Sequence, residues 1–478
     1  MPNAADTFSR KRQLTLLAGV AAGFAVLLFY FFISDGYSDV GDGIQHYQIA
    51  KYSWTHPELF LHHWGKPFYI LVSSPFAQFG YGGTVLFNLF CAAGTAWFAG
   101  KSVHLLGYRF AGFSALLTVF CPLYFTVAIS GLTEPFFGFI LVLSVWLMLK
   151  KKRGWAAAVV SFLPFIRSEG FLLLPLFGLL LLIRRDWRAI PMLALGTIVY
   201  SIAGGIATGD FLWVIHDNPY KGEDLYGSGS FFHFAKNNEI LLGSSGVVLF
   251  LAAGIWTLIR LGSRKKQGAL FAEELLLVYG AFTVYFIAHS IFWAYGLFGS
   301  YGLLRVMAAV TPLAAIAVAG ILSLMRDNFL QRMWLPPLIA LFALSLNIVQ
   351  TLRQSRVPFH VDNEQYPAVE AGKWLKKNTA GQMLYCQHPF IIFLSDYDPF
   401  DRNRSRNLWD MQAEAGKLES GSIIIWDSHF GPVEGRLPLD SLLNRPDLEN
   451  VFQARSPKEE FRSAGKPEWP AVYIFRVK

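Results

Sequence analysis

Nine runs of roughly twenty apolar residues lie between positions 14 and 352, near 14–34, 84–106, 110–128, 132–149, 188–207, 241–261, 271–292, 302–324 and 333–352. A water-soluble core does not absorb so many uninterrupted runs, and each is about long enough to cross a ~30 Å hydrocarbon layer as a helix. A further region, 155–183, is interrupted by Arg167-Ser168-Glu169-Gly170 and reads as two short helices meeting at one face. The expectation is therefore an α-helical polytopic membrane protein with about eleven transmembrane helices. Composition agrees: 54% of residues are hydrophobic and 15% charged, against about a quarter charged in a soluble domain. Residues 67–80 are too short and too proline-broken to span, and read as a helix lying in the interface.

The loop charges give an orientation. With the N-terminus cytoplasmic, the inner loops hold Arg10-Lys11-Arg12, Lys101, Arg109, Lys150 to Arg153, Arg184, Arg185, Arg188, Arg260, Arg264 to Lys266, Arg326 and Arg332. The outer loops before the tail hold only Lys51, Lys66, Arg167, Lys221, Lys236 and Arg305. That asymmetry is the positive-inside signature. The basic runs are thus topology signals, and the net charge of +8 does not point to nucleic acid. The bases before the first run, with no small-residue cleavage site after it, read as the flank of a retained first helix. Three cysteines, Cys91, Cys121 and Cys386, make no disulfide framework.

An odd span count puts the tail, 353–478, outside as well. Its composition changes sharply, with short apolar runs at 421–426 and 471–475 separated by helix-like pieces such as 366–377. That pattern predicts a small extracytoplasmic α/β domain. Asp427 and His429 in the tail could be a metal pair, and a lone pair at a strand end is usually structural.

Charged residues at a membrane boundary are costly and are functional candidates. Asp39 and Asp42 follow the first span, and Lys66 precedes the interfacial segment. Glu134 opens a span, Arg167 and Glu169 lie in the break, and Arg305 sits near the outer end of another span. The helix count puts them all at the outer leaflet. Arginine and lysine there suit a phosphate, and a carboxylate beside an acceptor hydroxyl can take its proton. A sugar leaving a lipid phosphate builds negative charge on that phosphate, so acids and bases on one face suit the transfer. They equally suit a proton-coupled transporter.

Asp39-Val40-Gly41-Asp42-Gly43-Ile44-Gln45-His46-Tyr47 resembles the first outer loop of GT-C glycosyltransferases, multi-span enzymes that use polyprenyl-phosphate sugars. Asp42, followed by His46 and Tyr47, matches the family's catalytic aspartate. Gly43 stands where a second acid is common, which leaves Asp39 as its partner. Trp64 to Tyr69 resembles an element of the protein mannosyltransferase and aminoarabinose transferase branch, and Ser130–Pro135 and Arg167–Gly170 resemble further outer-face elements. The resemblance implies a GT-C-like catalytic bundle over 1–352, with outer loops at 35–82 and 208–240 and the α/β domain at 353–478.

It further implies a hexosyltransferase, mannose being one hexose it suggests, acting on a glycan, lipid or protein acceptor by a single inverting displacement. Asp42 would be the base, assisted by Asp39, with Arg305, Arg167 and Lys66 on the donor phosphate. His46, Tyr47, Glu134 and Glu169 would support them. No metal ligand set is assigned, although Asp39 and Asp42 are where a divalent metal would bind. The expected location is the bacterial inner membrane.

Blander roles stand beside these. Asp42 also suits a helix N-cap, Glu134 a helix N-terminus, Lys66 an interfacial anchor, and Arg167 with Glu169 a simple ion pair. His62, His63 and the 216–238 loop, with His216, Asp217, Lys221 and His233, are weaker acceptor contacts. The rival functions are a transporter or flippase for a lipid-linked sugar, which needs midplane charges and often internal repeats, and a non-catalytic envelope assembly protein. The apolar runs are clean in their middles apart from residues such as His289.

Overall fold

The computed structural model describes residues 4–217, 219–220, 227–263, 267–328, 334–379, 381–414, 416–457, 460–461 and 467–478. Six helices are long and apolar enough to cross a membrane: Arg10–Ile33, Tyr81–Leu105, Ile190–Thr208, Ser244–Leu261, Phe271–Tyr295 and Leu335–Gln354. Ala111–Val119 and Pro122–Ala128 make a seventh if counted as one span, bent by 66° where Pro122 opens the second piece. Large apolar side chains face outward along these helices, among them Ile206, Leu258 and Phe342. This surface belongs in lipid, and the protein is an integral membrane protein.

Of the about eleven spans expected from hydropathy, six or seven among the described residues are helices long and apolar enough to cross. Apolar length and helix length part company where the backbone breaks. Glu134–Leu149 has 16 residues, about 24 Å at 1.5 Å per residue. The 302–324 run begins as a 3-10 turn, Leu304–Ala309, and its regular helix starts only at Thr311. In 155–183 a helix at Arg153–Val160 gives way to 3-10 turns at Leu163–Phe165 and Ser168–Leu172 before Leu174–Ile183. Arg167 sits in the extended link between the two turns. The interfacial segment forms a helix, Pro67–Ala77, packed on Asp42–Tyr52 and Tyr81–Leu105.

The tail folds as expected in kind. Helix Gln365–Asn378 and strands Ile423–Asp427 and Ala471–Val477 fall where the pattern put them. The five-stranded sheet runs Ser405–Arg406, Leu384–Cys386, Ile423–Asp427, Ala471–Val477, Leu448–Arg455, parallel across the first three and antiparallel across the rest. Asp427 Oδ1 accepts from the His429 and Phe430 amides at 2.9 and 2.7 Å, a local turn contact.

The tail sits at the end of the bundle where the first span finishes. The Asp35 and Gly36 amides donate to the Phe359 carbonyl at 3.0 and 2.9 Å. Ile44, next to the acid pair, is fully buried in the core formed by Leu375, Phe390 and Ile425 of the tail. At the opposite end, Arg260 donates to Tyr108 and Glu274 at 3.0 and 2.9 Å, and Arg184 pairs with Glu273. The two glutamates inside the 271–292 run are thus neutralised by bases on neighbouring helices.

Candidate active site

The acid loop ends in helix Asp42–Tyr52. Asp39 Oδ1 accepts from the Gly43 amide at 2.6 Å, so Asp39 satisfies a free amide of the helix start. Asp42 is the first helical residue and makes no side-chain cap; the capping role open to it in the sequence belongs to Asp39. Its carboxylate turns to Arg305 instead. Position 43 is crowded. A Cβ there would meet Asp39 Oδ1 at 3.0 Å, and one at Gly131 would meet the Gly43 carbonyl oxygen at 2.3 Å. The 130–134 segment is pinned in turn: Asn88 donates to the Ser130 and Leu132 carbonyls at 2.7 and 2.8 Å, and Tyr69 to that of Gly131 at 2.8 Å.

Arg305 bridges the acid pair, donating to Asp39 Oδ2 at 2.6 Å and to Asp42 Oδ2. Its Nε lies 4.0 Å from Glu134 Oε1. Glu134, 1% exposed, is held by Arg167 at 2.7 Å, and the same guanidinium binds Glu169 at 2.9 Å and Thr133 at 3.2 Å. Behind them His289 lies 3.6 Å from Glu169. Lys66 is 5% exposed and donates to the Ser168 hydroxyl at 3.1 Å and the Tyr220 hydroxyl at 2.6 Å, with its ammonium 4.5 Å from the Tyr220 ring centre. The seven charged residues singled out along 266 positions of sequence therefore meet at one end of the bundle.

The cations differ in what they face. Arg305 and Arg167 each hold two carboxylates, whereas Lys66 has no carboxylate within ion-pair distance among the described residues. Burial pushes Lys66 down to about 7, with Glu169 and Asp42 opposing and Arg167 reinforcing the fall. Its backbone has φ +69°, a conformation that costs a non-glycine residue roughly 1–3 kcal/mol and persists where the surroundings impose it.

The two acids are pushed apart. Burial favours the neutral form of both. At Asp42, Arg305 and Arg167 outweigh burial and hold the carboxyl below its ordinary value. At Asp39 burial prevails, reinforced by the Asp42 charge, and the carboxyl rises. Asp42 is also the more exposed, 41% against 17%. Two carboxyls tuned in opposite directions leave Asp42 as the ionised, accessible member, the state a proton acceptor needs.

The supporting residues divide. His46 stacks on Trp64 with ring centres 4.7 Å apart, and burial lowers it to about 3, so it packs beneath the acid as a neutral ring. Tyr47 is not brought to the charged cluster: one helical step on, it faces Tyr81 at the start of helix Tyr81–Leu105 and, from the tail, Phe393. His63 donates to the Asp217 carbonyl at 2.9 Å, His62 accepts from the Gly65 amide at 3.0 Å, and His233 donates to the Gly302 carbonyl at 2.8 Å. His216 pairs with Asp210 on the surface, and Lys221 lies outside the described residues. Tyr220, Ser168 and Thr133, which hold Lys66 and Arg167, were not singled out in the sequence, because neutral side chains carry no charge signal.

The metal suggested for Asp39 and Asp42 does not fit this geometry, because one oxygen of each acid faces the Arg305 guanidinium and the other Asp39 oxygen caps the helix. Among the described residues no three His, Cys, Asp or Glu side chains form a metal-holding group, Asp427 and His429 included.

Comparison with known proteins follows the same lines. Residues 66–285 match the model of Glycosyltransferase family 87. No curated protein matches in sequence. Among solved structures, ArnT from Cupriavidus metallidurans bound to undecaprenyl phosphate is 12% identical with a TM-score of 0.59, covering 95% of this chain and 97% of its own. Its apo state is 13% identical with a TM-score of 0.61, covering 96% and 98%. The apo oligosaccharyltransferase of Archaeoglobus fulgidus is 11% identical with a TM-score of 0.57, covering 96% of this chain and 74% of its own. The chain thus shares the fold of these membrane enzymes, and its residues 66–285 are similar to Glycosyltransferase family 87.

Proposed function

We propose that the chain transfers a hexose, with mannose the first to test, from a polyprenyl-phosphate-linked donor to an acceptor hydroxyl by a single inverting displacement. The observation that carries this reading is Lys66: a buried ammonium beside Asp42 and Arg167, held among the described residues by the hydroxyls of Ser168 and Tyr220 and by no carboxylate within ion-pair distance. A buried cation without a carboxylate is costly, and a donor phosphate oxygen is the anion that completes it.

In the reaction, Asp42 takes the acceptor hydroxyl proton as the acceptor oxygen bonds to the anomeric carbon. The bond from that carbon to the phosphate oxygen breaks, and the electron pair leaves on the lipid phosphate. Lys66, with Arg305 and Arg167 beside it, stabilises that growing charge. Asp39 keeps the helix start and Arg305 in register. Residues 1–352 do the chemistry, and the loop bases orient the N-terminus to the cytoplasm and the site to the extracytoplasmic face, in a bacterial inner membrane. The acceptor belongs to a glycan, a lipid or a protein.

The Lys66 environment gives the test. With a value near 7, the side chain is charged below neutrality and loses its proton above it. Donor affinity in the purified wild-type protein is expected to fall as pH rises from about 6 to 9, by up to tenfold per pH unit in the upper range. Lys66→Arg keeps its charge throughout and flattens the profile; Lys66→Met weakens binding at every pH. Equilibrium binding of a polyprenyl-phosphate sugar reads all three, and a wild-type affinity in Lys66→Met contradicts the proposal.

A further inference from the structure

The segment that carries the acid pair has no regular structure of its own between Ile33 and Asp42. It is held from outside. Ser34 Oγ accepts from the Phe359 amide at 2.9 Å, the Asp35 and Gly36 amides donate to the Phe359 carbonyl, and Ser38 Oγ donates to the Ile129 carbonyl at 2.8 Å. Gly36 lies so close to the tail backbone that a Cβ there would meet the His360 carbonyl carbon at 2.3 Å.

Tyr37 is fixed differently. Its amide donates to Gln365 Oε1 at 3.2 Å, and its carbonyl accepts from Gln365 Nε2 at 2.9 Å. One carboxamide thus matches both polar groups of one peptide residue, as a neighbouring strand would. Gln365 is 3% exposed and opens the tail helix Gln365–Asn378, its own amide donating to Asp362 Oδ1 at 2.8 Å. The Tyr37 ring is wedged against Tyr81 and Phe390, with centres 5.3 and 4.9 Å away.

The geometry points to Gln365 as a positioning residue for the acid pair, acting from the tail through the Tyr37 peptide. Tyr37 is two residues from Asp39, and Asp39 both starts the Asp42 helix and holds Arg305. Freeing Tyr37 lets the acids drift without removing any group that touches substrate. The tail on this account clamps the catalytic loop, in addition to any contact it makes with acceptor. The inference rests on the catalytic reading above, because it needs the placement of Asp39 and Asp42 to matter for turnover.

The test uses the full-length protein. Gln365→Leu keeps the volume and removes both hydrogen bonds. Turnover is expected to fall about 10- to 100-fold, the scale on which small misplacements of reacting groups act, while donor KM stays within about twofold. Amide exchange at residues 37–41 should quicken in the same variant. Gln365→Glu keeps the acceptor for the Tyr37 amide and should give an intermediate turnover; it also decides the matter if Gln365→Leu fails to fold.

Wild-type turnover in a folded Gln365→Leu overturns the inference. So does a loss in which turnover and bound donor fall together in step with the folded fraction. If Asp42→Asn keeps its activity while Gln365→Leu still frees the loop in exchange, the base assignment fails and the clamp stands.

Discussion

Asp42→Asn is expected to cut turnover roughly 100- to 10,000-fold, the usual contribution of a positioned general base, with expression and donor affinity close to wild type. Asparagine is nearly isosteric, and its carbonyl oxygen can still accept from Arg305, which keeps Asp39 as its charged partner. The protein loses only the ionised, accessible acid. Donor binding should not suffer, since one fewer negative charge stands near the phosphate. Asp39→Asn is the contrast. Asparagine caps a helix about as well as aspartate, so the Gly43 contact survives and the effect should stay well below that of Asp42→Asn. Equal losses from the two substitutions, or full activity in purified Asp42→Asn, would remove Asp42 from the base role.

The second large effect belongs to Arg305. Arg305→Met leaves Asp39 and Asp42 facing each other, with Glu134 nearby and the cation that bridges them gone. Removing one partner of a buried ion pair costs about 3–5 kcal/mol, so the thermal midpoint should drop and transfer should be lost. The carboxyls answer by binding a proton, Asp39 first, because its value is already raised. Two consequences separate this from generic damage. Arg305→Met should recover stability as pH falls toward the raised value of Asp39. The double variant Asp39→Asn/Arg305→Met should be more stable than Arg305→Met alone, the non-additivity expected of residues in one network. Additive losses across that pair would show that the bridge does not carry the stability of this end of the bundle.

The site was legible where charge sits against the grain of an apolar sequence. Asp39, Asp42, Lys66, Glu134, Arg167, Glu169 and Arg305 stood out because ionised groups are expensive at a membrane boundary, and counting spans put them on one side. Their pairing was not legible. Arg167 looked like a partner for Glu169 alone, and it also holds Glu134, 33 residues away. Neutral groups such as Tyr220 and Gln365 contribute through direction and distance, which composition does not encode. Tyr47 shows the same limit: one step along a helix turns a side chain by about 100°, enough to point it at the tail instead of the acids. The span count was legible only in part, for a related reason. Hydropathy reads apolar length, while Pro122, the 3-10 turns around Arg167 and the late start at Thr311 decide how much of that length is helix.

The central claim is that this end of the bundle moves a sugar off a lipid phosphate. It is tested most directly by giving the purified full-length protein polyprenyl-phosphate donors carrying different labelled hexoses, together with glycan, lipid and peptide acceptors. The account predicts that one donor yields labelled product of inverted anomeric configuration, with one free polyprenyl phosphate released per sugar transferred, and that Asp42→Asn bound to the same donor releases neither. Tight binding of the lipid-linked sugar by the wild type with its bond to phosphate left intact under every acceptor, or its passage across a sealed vesicle membrane unchanged, would contradict it.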